Sequence, residues 1–249
     1  MELKDKVALV TGGSGALGGR ICHALADAGA HIAVLYHTGE ERAQEISQEL
    51  RDRGVKAEPF QCDVSAQDQI ESVVGRVVQQ LGRVDILVND AGYNKWIPFP
   101  ELDKMTGKEW NKMLTINLTA PMMFMKAVAG TMKDQGEGHI VNIASVAGLY
   151  PRGSSIGYAV SKAGLVHLTR CMAVAMAPEV LVNCVAPGFM EGTRMSNNLS
   201  PEFQERSRTS ALLQRAADKD DVADQTVAFC RTDSITGQTL VIDSGLFFH

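Results

Sequence analysis

The chain has 249 residues, 45% of them hydrophobic, 21% charged and 6% aromatic, with 23 glycines and a formal net charge of −5. A chain of this length and apolar content can bury a core without disulfide or metal staples. Mild acidity and the absence of any Lys/Arg block argue against nucleic acid or an anionic membrane surface as a partner.

Short aliphatic or β-branched runs alternate with segments of helical spacing. The runs are Lys6–Thr11, Ala30–Tyr36, Ala57–Cys62, Val84–Asn89, His139–Ala144, Val180–Ala186 and Thr239–Asp243, each predicted as a buried strand. Between the first two, Leu17, Ile21, Leu25 and Ala28 recur at three- and four-residue intervals, as do Ile70, Val73, Val74, Val77 and Leu81 further on. Two longer helical segments are predicted at Thr106–Asp134 and Tyr158–Ala177. Such alternation predicts an α/β fold of about seven parallel strands, doubly wound and flanked by helices, filling residues 1–249 as one domain. Gly188–Ala217 is the least regular stretch and is expected to form a cover over a site, with a surface insertion as the simpler alternative.

No apolar run approaches the roughly 18 to 20 residues that cross a bilayer. The start, M-E-L-K-D-K, lacks the apolar stretch of a signal peptide. A cytoplasmic protein is expected. Five cysteines, Cys22, Cys62, Cys171, Cys184 and Cys230, contain no C-x-x-C pair and are expected to be small buried thiols, without a metal site.

The first strand runs into T-G-G-S-G-A-L-G-G-R, and a helix follows. Glycines at such a turn let backbone N–H groups approach a pyrophosphate, which the positive end of the following helix also favours. Further along, Tyr158 and Lys162 of Y-A-V-S-K stand four apart on one helix face. A phenol is a poor proton donor or acceptor at neutral pH unless a nearby ammonium stabilises its anion. Ser145 closes a predicted strand, at the sheet edge where open α/β folds bind ligands. Asn117 sits inside an apolar helical segment, where it needs a partner: a structural bridge or a proton relay.

Together these residues resemble the short-chain dehydrogenase/reductase family, from about Lys6 to the C-terminus. The glycine turn, C-D-V (Cys62–Val64), N-D-A-G (Asn89–Gly92), the set Asn117, Ser145, Tyr158, Lys162, and A-P-G (Ala186–Gly188) occur in the family's order. The resemblance implies a Rossmann-like fold and an NAD(P)(H)-dependent interconversion of ketone and secondary alcohol, similar to 3-oxoacyl-carrier and carbonyl reductases. Tyr158 is then the proton donor and acceptor, Ser145 its partner on the substrate oxygen, and Lys162 the ribose ligand that lowers the phenol's pKa. Asn117 holds a water that links Lys162 to solvent. Gly12, Ser14, Gly15, Ala16, Leu17 and Gly18 are implied at the pyrophosphate, Tyr36, His37, Thr38, Asp63 and Val64 at the adenosine, Asn89, Ala91 and Gly92 beside its ribose, and Pro187, Gly188 and Thr193 beside the nicotinamide.

Three residues depart from the family pattern. Ala16 stands where glycine is usual, Asp90 replaces the second Asn of N-N-A-G, and Gly192 places Thr193 one residue further from Pro187-Gly188. At the end of the second strand, Tyr36-His37-Thr38 offers no carboxylate to hold an adenosine ribose, and His37, Thr38 and Arg42 are candidates for a phosphate there. NADP(H) is favoured; NAD(H) stays open, because Gly15 stands where many NADP-dependent relatives carry a basic residue.

Trp96, Phe99, Tyr150, Phe189, Met190 and Met195 lie in the segments expected to line the substrate pocket, although each also suits a core or subunit contact. They suit a 3-oxoacyl thioester or an apolar or aromatic ketone. Two alternatives remain: an NAD-dependent alcohol or hydroxysteroid dehydrogenase, and a dinucleotide-binding sensor that has lost catalysis. The resemblance also implies a homotetramer or homodimer through the two long helices, with Leu246, Phe247 and Phe248 expected against a neighbour.

Overall fold

The computed structural model describes residues 1–248. In chain order the elements are β1 (Val7–Thr11), α1 (Ala16–Asp27), β2 (His31–Tyr36), α2 (Glu40–Arg51), β3 (Ala57–Gln61), α3 (Gln67–Leu81), β4 (Ile86–Asn89), α4 (Gly107–Leu114), α5 (Ala120–Asp134), β5 (Gly138–Ile143), α6 (Ile156–Met176), β6 (Val180–Pro187), α7 (Arg194–Asn197), α8 (Pro201–Thr209), α9 (Lys219–Arg231) and β7 (Thr239–Ile242). All strands pair in parallel in one sheet, in the order β3-β2-β1-β4-β5-β6-β7. The expected doubly wound, Rossmann-like α/β fold is therefore the one present.

Strand β1, V-A-L-V-T, is buried at every residue, as a parallel strand covered on both faces must be. Ala8, Val10, Ile32, Val34, Ile86 and Val88 face a core closed by α1, α2 and α9 through Leu17, Ile21, Leu25, Ile46, Leu50 and Val222. Val7, Leu9, Leu35, Leu87 and Ile140 face the opposite core, closed by α3, α5 and α6 through Ile70, Val73, Val77, Phe124, Val128, Met132 and Met176. Fully burying one such side chain contributes roughly 1.5–3 kcal/mol, so the two cores dominate the folded state's stability.

The topology fixes where a ligand can bind. The chain lays β2 and β3 on one side of β1 and returns to place β4 on the other, which opens a crevice at the carboxyl ends of β1 and β4.

Three expectations change in detail. The predicted helix 106–134 is interrupted by a π-helical turn at Thr115–Thr119, between α4 and α5. The stretch 188–217 is not structureless but holds α7 and α8. Of the five cysteines Cys171 is exposed and the other four are buried, with all five free. Among the described residues no helix is long and apolar enough to cross a membrane.

Candidate active site

The glycine turn is built by close approach. Gly12 follows β1 with a φ of +69°, a left-handed conformation that suits glycine. A Cβ on Gly18 would overlap the Gly12 carbonyl oxygen and lie 2.9 Å from Asp90 Oδ2. Helix α1 starts behind this turn, and its N-cap, Gly15, offers no side-chain acceptor to the first amides. That unfilled helix end in a cradle without side chains fits a phosphate.

One cleft of about 1080 Å³ joins this turn to the far end of the sheet. Gly12, Ser14, Gly15, Ala16 and Leu17 line it, as do Tyr36, His37, Thr38, Asp63, Val64, Ala91 and Gly92, then Ser145, Tyr158, Lys162, Pro187, Gly188 and Thr193. Three expected residues, Gly18, Asn89 and Asn117, do not. Gly18 is packed behind Gly12. Asn89 is buried in the sheet, where its Nδ2 donates to Asn142 Oδ1 at 2.8 Å, and Asn142 Nδ2 donates to Thr169 Oγ1 at 3.0 Å. That side chain ties β4 to β5 and α6, beneath the cleft floor.

Asn117 lies in the π turn and is fully buried. Its Oδ1 accepts from the Tyr93 N–H at 2.8 Å, and its Nδ2 donates to the Tyr93 carbonyl at 2.8 Å and to Ser161 Oγ at 2.9 Å. These bonds make the structural bridge that is one of the two readings open from sequence. From the π turn the asparagine reaches both α6 and the irregular segment that follows β4.

Helix α6 is capped by Ser155, whose hydroxyl accepts from the Tyr158 N–H at 3.2 Å. The cap sets Tyr158 in the first turn and Lys162 one turn behind it. The turn after Ser145 packs close to α6 because Gly148 has no side chain: a Cβ there would lie 2.6 Å from the Lys162 carbonyl carbon. Ser145, Tyr158 and Lys162 thus meet at the cleft wall.

Burial pushes the Tyr158 phenol up to about 12; the hydrogen-bonded Ser145 hydroxyl pulls the other way and Asp90 adds to the rise. Lys162 is 2% exposed, and its Nζ donates to the Ile143 carbonyl at 2.7 Å. Burial brings its ammonium down to about 8, opposed by Asp90 and then Cys184. Desolvation here outweighs the Ser145 hydrogen bond, the one contact that favours the anion.

At the end of β2, His37 Nε2 lies 3.8 Å from Asp63 Oδ2, and hydrogen bonds from Ser65 hold the Asp63 carboxyl below its ordinary range. Arg42 is committed elsewhere, to Glu45 at 3.0 Å and Glu49 at 3.1 Å. It is not in the cleft wall, which corrects its candidacy as a phosphate ligand. Thr193 spends its hydroxyl on α7, accepting from the Ser196 N–H at 3.0 Å in a reciprocal cap.

A cleft at the sheet's switch point, with a glycine turn at one end and a Ser/Tyr/Lys cluster further along, can be compared with known proteins. The family profile described as short chain dehydrogenase matches residues 6–204. The chain belongs to the short-chain dehydrogenase family. It is similar to the 3-oxoacyl-[acyl-carrier-protein] reductase of Staphylococcus epidermidis, 33% identical over 247 residues that cover 98% of this chain and 99% of that one. Among solved structures it resembles a short chain dehydrogenase from Burkholderia cenocepacia in complex with NADP, at 31% identity and TM-score 0.91 with 99% of each chain covered. It also resembles NAD⁺-bound xylitol dehydrogenase, at 29% identity and TM-score 0.90, covering 98% of this chain and 100% of that one. Membership makes the chain an NAD(P)-dependent oxidoreductase acting on CH–OH and C=O groups.

The remaining wall of this dehydrogenase's cleft is largely apolar, with Arg152, Arg194 and Arg206 among its lining residues. Trp96, Phe99, Phe189, Met190 and Met195 line it as expected, joined by Phe203, Leu246 and Phe247. Tyr150 does not; its ring stacks on Phe247 with centroids 4.2 Å apart. Leu246 and Phe247 fold onto the cleft of their own chain, because Asp243 accepts from the Gly245, Leu246 and Phe247 amides and curls the tail back. Phe248 alone of the three stays exposed.

The α7–α8 segment is tied to the wall that follows β4 by residues that no motif singled out. Asn94 Nδ2 donates to the Met195 carbonyl at 3.0 Å, Asn198 Nδ2 donates to Asn94 Oδ1 at 3.0 Å, and Trp96 meets Phe203 edge to face at 5.0 Å. The sole sequence signal for these contacts is the polar-aromatic mixture of the two segments. Met195 reaches furthest, with its sulfur 3.8 Å from the Tyr158 hydroxyl.

Proposed function

We propose that the chain reduces a ketone to a secondary alcohol, with Tyr158 as general acid, and that the ketone is a 3-oxoacyl thioester or another apolar or aromatic carbonyl compound. The observation that carries this reading is the meeting of Ser145, Tyr158 and Lys162 in the same cleft as the glycine turn. A bound nicotinamide dinucleotide would supply the hydride. The chain's own part is to stabilise charge developing on the carbonyl oxygen and to protonate it. Ser145 and Tyr158 present two hydroxyls to that oxygen, and a phenol held neutral by burial is a donor throughout the neutral range. Lys162 supplies the one ammonium beside them and is read as the ligand of the nicotinamide ribose.

The residues fit NADP(H) better than NAD(H). Tyr36, His37 and Thr38 end β2 without an acid, and Ser14 and Gly39 lie beside them, so a 2′-phosphate meets donors rather than a carboxylate. Against this, Asp63 stands near His37 and leaves NAD(H) as the second possibility. A thioester is favoured over a neutral ketone because Arg152, Arg194 and Arg206 line the cleft among its apolar groups, suiting an anionic carrier. Exposed Val160 and Val174 on α6 support association of two or four copies through that helix.

The test follows NADPH, and separately NADH, by near-ultraviolet absorbance with an acetoacetyl thioester, an aromatic ketone and a cyclic ketone. Oxidation of NADPH that depends on Tyr158, fastest with the thioester, is the expected result. No turnover with either dinucleotide in either direction, although both bind, would favour a sensor.

A further inference from the structure

The motif residue that the mechanism leaves unused is Asp90. It follows β4, and its backbone N–H, like that of Ala91, donates to Thr11 Oγ1 at 3.0 Å, which locks the carboxyl beneath the glycine turn. There its Oδ2 stands against Gly12 and Gly18, 3.4 Å and 2.9 Å from where their Cβ atoms would be, at the start of α1, where the N-cap residue Gly15 has no side chain to offer. Asp90 thus brings a carboxylate to the first turn of α1 from the segment that follows β4. The same helix end is the one that would hold the pyrophosphate, so a fixed carboxylate and an incoming dianion compete for one positive pole.

We propose, resting on the dinucleotide reading above, that Asp90 sets the affinity of the glycine turn by taking up a proton from solvent when a pyrophosphate binds. The carboxyl then ceases to repel the ligand, and affinity falls as alkaline solution makes that proton scarce. An asparagine here would keep a side-chain oxygen beside Gly18 without this dependence.

The groups facing Asp90 support the assignment. From α1 come the Gly18 N–H and the Cys22 thiol, which burial and Asp90 together push far up, so it stays neutral. From α6 come the neutral Tyr158 phenol and the Lys162 ammonium, the one charge that favours the ionised carboxyl. Burial outweighs that ammonium and pushes the Asp90 carboxyl up to about 7. A second negative charge nearby can only raise it further.

Isothermal titration of the full chain with NADPH and with NADH, in two buffers of different ionisation enthalpy at pH 7.5, reads the proton directly. Wild type is expected to take up roughly half a proton per ligand, and its Kd to rise from pH 7 to 9 with a slope approaching about tenfold per unit. Asp90→Asn should lose most of the uptake, flatten the slope and bind more tightly at pH 8. Asp90→Ser, smaller and also non-titrating, should behave alike if the asparagine variant folds poorly. The NADH arm excludes the 2′-phosphate as the source of the proton. Binding without uptake in wild type, or equal uptake in Asp90→Asn, which would assign the proton to Lys162 or elsewhere, would overturn the proposal and leave the dinucleotide reading intact. No binding of either dinucleotide would overturn both.

Discussion

Asn117 holds both polar groups of the Tyr93 backbone at once, accepting from its N–H and donating to its carbonyl, each at 2.8 Å. One amide side chain in a π turn thereby substitutes for a neighbouring strand just where β4 has ended. The chain from Asp90 to Asn94, which forms one wall of the cleft and bonds to α7 through Asn94, is held from this point.

Asn117→Ala should therefore cost about 2–4 kcal/mol, because it strands backbone and side-chain partners out of water. Asn117→Asp should be no better despite its shape, since it replaces the donor facing the Tyr93 carbonyl and Ser161 Oγ with an acceptor. Urea denaturation measures both. A loss below about 0.5 kcal/mol in either would show that the clamp is not what secures this wall.

Tyr158→Phe removes one hydroxyl from a ring that is otherwise core, packed with Met113, Ala147 and Ala159. Its thermal stability and dinucleotide Kd should stay close to wild type. Turnover should fall by about 10²–10⁴-fold, the usual worth of a positioned acid. Single-turnover absorbance with pre-bound NADPH separates the two effects, and retained turnover would exclude the phenol as the acid.

The sheet was legible from the sequence because parallel strands buried on both faces read as unbroken apolar runs, as V-A-L-V-T does. Ser145 and Tyr158 were legible because they stand at the ends of elements whose period is plain, and Lys162 because it lies four residues on from Tyr158 along the same helix. What escaped depended on partners far along the chain. Asn89 looked like a cleft residue until Asn142, 53 positions later, accounted for its amide. Arg42 looked free until Glu45 and Glu49 claimed it on the same helix. The environment of the Tyr158 phenol follows the same rule: proximity of Lys162 can be read from spacing, but desolvation is a property of the packed site.

Gly92 and Met195 make a matched pair. A Cβ on Gly92 would overlap the Met195 methyl, and the thioether is what reaches the Tyr158 hydroxyl. Gly92→Ala should push Met195 aside and loosen α7, raising KM for the ketone several-fold while leaving the dinucleotide Kd within about twofold. Met195→Ala removes the obstructing atoms, so the double variant should recover much of the KM lost by Gly92→Ala alone. Additive effects in this double-mutant cycle would show that the two positions act separately.

Lys162 carries an ammonium that burial disfavours. Its folded pKa, about 8, lies below the ordinary lysine value of 10.5 because burial disfavours the ammonium. Between those two values the unfolded chain binds the extra proton, so this residue's contribution to stability improves as pH rises from about 8 to 10.5 and is at its worst below 8. Lys162→Met keeps the volume and removes the charge. The variant should be more stable than wild type at pH 7, by an amount on the order of 1–3 kcal/mol, with the advantage shrinking as pH climbs through that window. It should also be nearly inactive. Paired urea melts at pH 7 and pH 9.5 measure the change; an advantage that grew with pH would mean that Asp90 and the Ile143 carbonyl already compensate the buried ammonium.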